Sequence, residues 1–394
     1  VKTHNHERIF QALDSFRIEL PSWGFANTGT RFGKFVQPAA ATNLEEKFAD
    51  AGQVNALTGA SPTVALHVLW DLPHGVKDVP EVRTLEAKYG VRAGSINPNL
   101  FQDQRYKFGS LANPSAEIRQ LAVAHCVESV EIASALGSRD ISMWIADGAN
   151  YPGSQSIRRR IDWLQQGLKA THDALAPGQR LLIEYKPFEP AFYFTDVADW
   201  GMALEFARAS GPQAKVLVDT GHHYQSQNVE QIVAWLLHLN ALGGFHFNDR
   251  KYADDDLTLG SIDPYQVFRI FCEILTGAGN QFDDIAFMID QSHNLKGKLE
   301  AMVQTVVAAQ ELYAKAALVD QQQLAELQDT CNLVDAEELF RGAFYTDVRP
   351  AIMDWRAARG LPIHPIKELH GSGYVERATA ARAAKNAGSL TSYA

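Results

Sequence analysis

A short apolar run followed by a helix-length run recurs along most of this chain, and few folds accept that pattern. The apolar runs are Phe16–Leu20, which alternates and stops at Pro21, then Thr63–Leu69, Val91–Ile96, Asp140–Ile145, Arg180–Ile183, Lys215–Val218, Gly244–Phe247 and Ile285–Ile289. Helical stretches fall between them at Asn43–Leu57, Pro80–Tyr89, Ser115–Leu136, Ser156–Leu175, Val197–Ala209, Asn228–Asn240 and Pro264–Leu275, with Lys298–Leu318 after the last and His6–Leu13 ahead of the first. Most strands are near-continuous apolar runs, as in parallel strands covered on both faces. Eight strand–helix units predict an α/β chain folded as a (β/α)8 TIM barrel. A doubly wound open sheet is the alternative, but no GxGxxG motif follows any strand.

The pattern stops at Leu318. Residues 1–318 are therefore expected to be the catalytic barrel. Residues 319–394 are expected to be a C-terminal helical extension, with two or three helices over Asp320–Asp354, a turn at Arg359–Ile363 and an alanine-rich end, ERATAARAAKNAGSLTSYA. Such an arm is expected to engage a neighbouring subunit.

The 394 residues carry a net charge of −10, which opposes nucleic-acid binding, because phosphate contacts need basic patches. Cys126, Cys272 and Cys331 are widely spaced and odd in number, so neither a disulfide framework nor a CxxC site is expected. No apolar run reaches the ~18 to 20 residues of a membrane span, and the opening VKTHNHERIF has no signal-like apolar region. A cytoplasmic enzyme is the expectation. The absence of an initiator Met suggests that a short N-terminal piece precedes Val1.

Polar residues cluster where the strands end: Trp23, His67 with Asp71, Asn97, Trp144 with Asp147, Glu184 with Lys186, Asp219 with His222, His246, and Asp290 with His293. In a barrel these ends share one mouth, where active sites form. Many charges at one end of an apolar core are costly without a compensating ion. Glu184, Asp219, His246 and Asp290 are expected to hold one divalent cation. Asp219 is then free to bridge to a second ion held with His222, Asp254 and Asp256; the i, i+2 spacing lets both carboxylates of DDD reach it while Asp255 faces away. Alone, DDD reads as a solvated acidic turn. An oxygen-rich set with imidazoles suits Mn²⁺, with Mg²⁺, Co²⁺ or Zn²⁺ also compatible. Lys186 is expected to stabilise a developing alkoxide or enediolate and His67 to serve ring opening; with Asp290 they form the catalytic group. Trp23, Phe101 and Trp144 offer apolar faces to sugar C–H groups. His223, Asp249 and Glu189 are given capping or surface places.

The motifs ELPSWGFANTGTRF, HVLWD, NPNLF, MWIADG, EYKPFEPAFY, VDTGHH, GFHFNDRKYADDD and MIDQSHN span Ile18 to Asn294. In order and spacing the chain resembles the bacterial L-rhamnose isomerases related to xylose isomerase. The resemblance implies a (β/α)8 barrel, two Mn²⁺-type ions on the two ligand sets above, and a homotetramer in which Phe32 reaches a neighbour's pocket. It implies reversible isomerisation of L-rhamnose to L-rhamnulose, with related aldoses such as D-allose and L-mannose as further substrates. The substrate would be a small sugar; neither nucleic acid nor a membrane is expected as a partner. Three rivals remain at this point: a ketose 3-epimerase, a three-zinc endonuclease and a non-catalytic sugar-binding barrel.

Overall fold

The computed structural model describes residues 2–27, 35–189, 193–252 and 254–387. Eight parallel strands form one sheet in sequential order: β1 (Leu20–Pro21), β2 (Thr63–His67), β3 (Arg92–Asn97), β4 (Asp140–Trp144), β5 (Arg180–Glu184), β6 (Ala214–Asp219), β7 (Leu242–Phe247) and β8 (Ala286–Ile289). The sheet closes through Glu19, whose N–H donates to the Phe287 carbonyl (2.8 Å) and whose carbonyl accepts from Ile289 N–H (3.0 Å). A helix follows each strand, as the alternating pattern predicts. The expected (β/α)8 barrel is the observed fold.

The strand bounds shift by one or two residues, and that of β1 by more: the first helix, Lys2–Ser15, fills the residues just before Phe16, and regular pairing begins only at Leu20. The second strand ends at His67 because Leu69 takes a positive φ of 78° and turns the chain. Between β5 and β6, Phe188–Glu189 pairs antiparallel with Tyr193–Phe194.

Beyond the barrel lie the helices Gln321–Asp329, Leu333–Tyr345, Arg349–Ala358, Pro365–Gly371 and Tyr374–Ala387. Ile352 and Trp355 of the third bury with Ile9 and Leu13 of the first helix. The alanine-rich end is an ordered helix up to Ala387: Arg382 donates to both carboxylate oxygens of Asp50 (2.8 and 3.0 Å), and Tyr374 adds a third bond (2.8 Å). Among the described residues no helix is long and apolar enough to cross a membrane.

Several polar strand-end residues turn out to hold loops. Asp147 is buried and accepts from Ser110 N–H (2.6 Å), Ser110 Oγ (2.8 Å) and Ala112 N–H (2.7 Å). Beside it the fully buried Arg160 donates to Asp196 (3.0 and 2.7 Å), to the carbonyls of Phe108 and Ala112, and to Gln155. Removing one partner of a buried ion pair leaves the other charge uncompensated. Arg160→Met is therefore expected to destabilise the protein by about 3–5 kcal/mol, read as a lower denaturant midpoint at unchanged slope.

Candidate metal centre and active site

Side chains of a strand alternate between faces. Leu182, Leu217 and Met288 pack together inside the barrel. The next inward residue above each is Glu184, Asp219 and Asp290. His246 pairs across the sheet with Asp219 on one side and, on the other, with Met288, two residues before Asp290. These four residues bring ligand atoms to within 4.8 Å of one another. Glu184 Oε2 lies 3.2 Å and Asp290 Oδ2 3.9 Å from His246 Nδ1.

Two buried atoms of this set, Asp219 Oδ2 and His246 Nδ1, make no hydrogen bond. The Glu184–His246 contact is close but not aligned as one. A buried polar atom left bare costs about 1–3 kcal/mol, and one divalent cation at the centre would satisfy both. The residues present therefore fit a metal ion, with oxygen and imidazole donors that suit Mn²⁺, Mg²⁺, Co²⁺ or Zn²⁺.

The second expected set is adjacent. His222 Nε2 lies 3.1 Å from Asp254 Oδ1 and 3.8 Å from Asp219 Oδ2. Its Nδ1 lies 3.0 Å from the Tyr185 carbonyl, so Nδ1–H is held there and Nε2 is the nitrogen that a cation would take once its proton is lost. Asp256, with φ of 50°, faces Asp254. Lys186 Nζ donates to Asp254 Oδ2 at 2.5 Å.

Protonation follows from this crowding. Burial opposes charge on His246, yet Glu184, Asp290 and Asp219 outweigh it and push the imidazole up to about 10. Burial likewise opposes charge on His222, but Asp219, Asp254 and Glu184 push it up to about 9. Burial raises Asp219 to about 7, with Glu184 and Asp290 adding to the effect. Burial and then Asp254 raise Asp256 well above the carboxylate range. Protons here supply the positive charge that a cation would otherwise bring.

An aromatic wall faces these ligands. Trp23 Nε1 donates to Asp290 Oδ1 (2.8 Å). From Trp23 the ring centroids step to His67 (5.9 Å), Phe101 (5.5 Å) and Trp144 (4.9 Å), and Lys186 Nζ sits 5.1 Å over Trp144. Burial lowers His67 to about 4, so its ring is neutral near pH 7.

Of the expected metal ligands, Glu184, Asp219, His246 and Asp290 form one cluster, while His222 and Asp254 contact each other beside it and Asp256 interacts with Asp254; Phe32 lies outside the described residues. Other strand-end groups do not join them. Asp71 accepts from Ser22, Lys47 and His67 N–H; Asn97 donates to the Leu66 carbonyl; His293 contacts Gln291. His223 and Asp249 are buried rather than at the surface: Asp249 accepts from the N–H groups of Ile262 and Asp263, and His223 meets the Tyr185 hydroxyl (2.6 Å). The Glu189 side chain lies outside the described residues.

Three contributors escape sequence reasoning. Asn248 donates to Asp219 Oδ1 (2.9 Å), leaving Oδ2 for an ion; its position two residues after His246, on the same face, was the available signal. Tyr185 acts through its carbonyl, which no residue type reveals. Trp70 lies against His67 with ring centroids 4.1 Å apart and planes tilted by 34°.

Comparison with known proteins places this geometry. The family described as a xylose isomerase-like TIM barrel matches residues 63–292. A probable sugar isomerase of Rhizobium meliloti is 39% identical over 378 residues, covering 94% of this chain and 87% of that protein. One from Mesorhizobium japonicum is 38% identical over 390 residues, covering 97% and 90%. An L-rhamnose isomerase of Salmonella paratyphi B is 25% identical over 274 residues, covering 60% and 62%. Among solved structures, a 3-keto-D-glucoside 4-epimerase from E. coli superposes with a TM-score of 0.52 at 13% identity over 72% of this chain and 98% of that one. A D-allulose 3-epimerase from Methylomonas sp. gives 0.51 at 14% identity, over 74% and 95%. At these identities the structural likeness speaks for the fold alone.

Metal binding must displace the protons now held by His246, His222, Asp219 and Asp256. Each of these groups has a raised pKa, so the metal-free fold binds excess protons, and its stability falls as pH rises through about 7 to 10. Chelator-stripped protein is therefore expected to lose thermal stability between pH 6 and pH 9, in units of about ten degrees or less. Added Mn²⁺ is expected to restore more at the higher pH. Calorimetric scans across that range check both signs.

Proposed function

The chain belongs to the xylose isomerase-like TIM barrel family, and within it we propose that it is a metal-dependent aldose–ketose isomerase acting on L-rhamnose, with D-allose and L-mannose as related substrates. The observation that carries this reading is the cluster of Glu184, Asp219, His246 and Asp290 under an aromatic wall, with His222 and Asp254 in contact beside it. A small sugar is the substrate such a wall fits: Trp23, Phe101 and Trp144 offer ring faces, and the carboxylates lie opposite.

Glu184, Asp219, His246 and Asp290 would hold one divalent ion, and Asp219, His222, Asp254 and Asp256 a second, with Mn²⁺ the ion best matched to so many oxygens. When bound, such ions polarise a carbonyl and favour ionisation of an adjacent hydroxyl. The chain's own residues do the remainder. Lys186, placed between Asp254 and Trp144, is positioned to donate to an oxygen that gains charge as hydrogen passes from C2 to C1 of the open-chain sugar. His67, neutral with its Nδ1 toward the Val68 carbonyl (3.3 Å), presents Nε2 as an acceptor for a sugar hydroxyl and so suits ring opening. Asp290 is fixed by Trp23 while facing the first ion. The aromatic rings exclude water from the reacting carbons.

Assembly into a homotetramer belongs to the same proposal. Phe35, Phe108, Tyr252 and Leu295 are exposed large apolar residues on loops at the mouth, which supports coverage by a neighbour and a place there for its Phe32.

A ketose 3-epimerase is the second reading, because the four-residue set alone would serve a one-ion enzyme. Incubation of Mn²⁺-loaded protein with L-rhamnose and, separately, with a ketohexose distinguishes the two: rhamnulose formation is expected, and epimerised ketose without aldose turnover would overturn the isomerase. Asp254→Asn combined with Asp256→Asn is expected to abolish isomerisation while the far-ultraviolet spectrum is unchanged; retained turnover removes the second ion from that loop. Lys186→Ala is expected to lower kcat by about 10²-fold or more with little change in KM, and an unchanged kcat would reduce Lys186 to a partner of Asp254.

A further inference from the structure

The C-terminal helices leave one buried cation with no ion-pair partner among the described residues, Glu311 being the nearby acid. Arg356 is 4% exposed, yet its Nε has no hydrogen-bond partner, and among the described residues no carboxylate forms an ion pair with it. Its single side-chain bond runs from Nη2 to Gln310 Oε1 (2.7 Å). A buried guanidinium in that state is costly, and a nearby anion would relieve it. Arg356 lines a groove of about 420 Å³ between the Lys298–Ala316 and Arg349–Ala358 helices and the segment from Ile363 to Lys367. The walls are apolar, from Val307, Ile352, Met353 and Ile366, and Lys367 and His364 lie at the lining with one acid, Glu311. Arg349, also in the lining, is paired with Asp347.

The same chain carries a segment of matching chemistry. At the start of the Leu333–Tyr345 helix, Leu333 and Val334 are 67% and 72% exposed, among the least covered large apolar side chains of the molecule. Asp335, Glu337 and Glu338 follow directly. The sequence LVDAEE thus presents two apolar side chains beside three carboxylates. Glu338 pairs with Arg341 and Asp335 accepts from Asn332, while Glu337 has no ion pair among the described residues. Together they complement an apolar groove whose Arg356 and Lys367 form no ion pair among the described residues.

We propose that this groove receives the Leu333–Glu338 tip of a second copy of the chain, and that its own tip enters the groove of that copy. The exchange is reciprocal, as a two-fold axis requires. It brings a carboxylate within reach of Arg356 and covers Leu333 and Val334 in both copies. This contact specifies one interface of the proposed assembly and rests on that part of the reading, not on the chemistry at the barrel mouth.

The test uses the full chain in sedimentation velocity over a concentration series. One variant alters the tip, Leu333→Asn with Val334→Asn; another alters the groove at exposed positions, Ile363→Asn with Lys367→Glu. Each is expected to weaken self-association about tenfold or more, the size of a lost interface anchor, with thermal stability measured alongside to confirm folding. Mixing the two variants is expected to recover part of the association, because one intact tip then meets one intact groove. Both variants assembling like the parent would overturn the tip–groove contact and leave the assembly standing. A parent chain that is monomeric throughout would overturn both. Loss in both variants without recovery on mixing would show that the two segments do not meet each other. Turnover of L-rhamnose by the parent reports separately on the isomerase reading.

Discussion

Four strands of a closed parallel barrel raise Glu184, Asp219, His246 and Asp290 to one level above an apolar plug, and that convergence governs the centre of the molecule. The plug of Leu182, Leu217 and Met288 keeps solvent away from below. Like charges so close, and so dry, cannot all remain ionised without compensation. In the protein alone the compensation is protonic: His222 and His246 are held charged and Asp219 is drawn toward neutrality. A divalent cation held by this cluster would supply the same charge at one point and satisfy Asp219 Oδ2 and His246 Nδ1.

The surrounding structure holds this arrangement in place. Asn248 and Gly221 N–H fix Asp219 Oδ1. The Tyr185 carbonyl orients His222, and the Tyr185 hydroxyl meets His223, whose carbonyl in turn accepts from Arg250 (2.5 Å). Trp23 fixes Asp290 and begins the aromatic wall. Ligand, orienting group and substrate face are thus linked through single contacts, as preorganised sites require. Farther out, Asp147 spends its lone pairs on the Ser110 and Ala112 N–H groups, and Asp71 on Ser22, Lys47 and the His67 N–H.

Much of the centre was legible because two rules act on neighbouring residues alone. The period of two puts Glu184 and Lys186, or His246 and Asn248, on one face. Barrel closure then sends every strand end to one mouth. Those rules do not separate a ligand from a loop anchor, so Asp71, Asn97 and Asp147 shared the signal of Asp219 and Asp290. What separates them is whether backbone N–H groups are close enough to saturate the carboxylate, and those groups belong to residues far away in the chain. For the same reason nothing local shows that His223 and Asp249, expected in capping or surface places, are buried, although Asp249 does cap the N–H groups of Ile262 and Asp263.

The sequence by itself determined the barrel, its strand order and the set of groups at its mouth, because periodicity and strand–helix alternation are properties of consecutive residues. Only the tertiary structure decided which groups share a charge and which are spent. Glu184 and His246 meet across the intervening strand β6, Trp23 reaches Asp290 across the seam where the first and last strands close the barrel, and Arg356 is left buried without an ion pair among the described residues. Desolvation and Coulomb interaction depend on distance through space, and separation along the chain does not encode that distance.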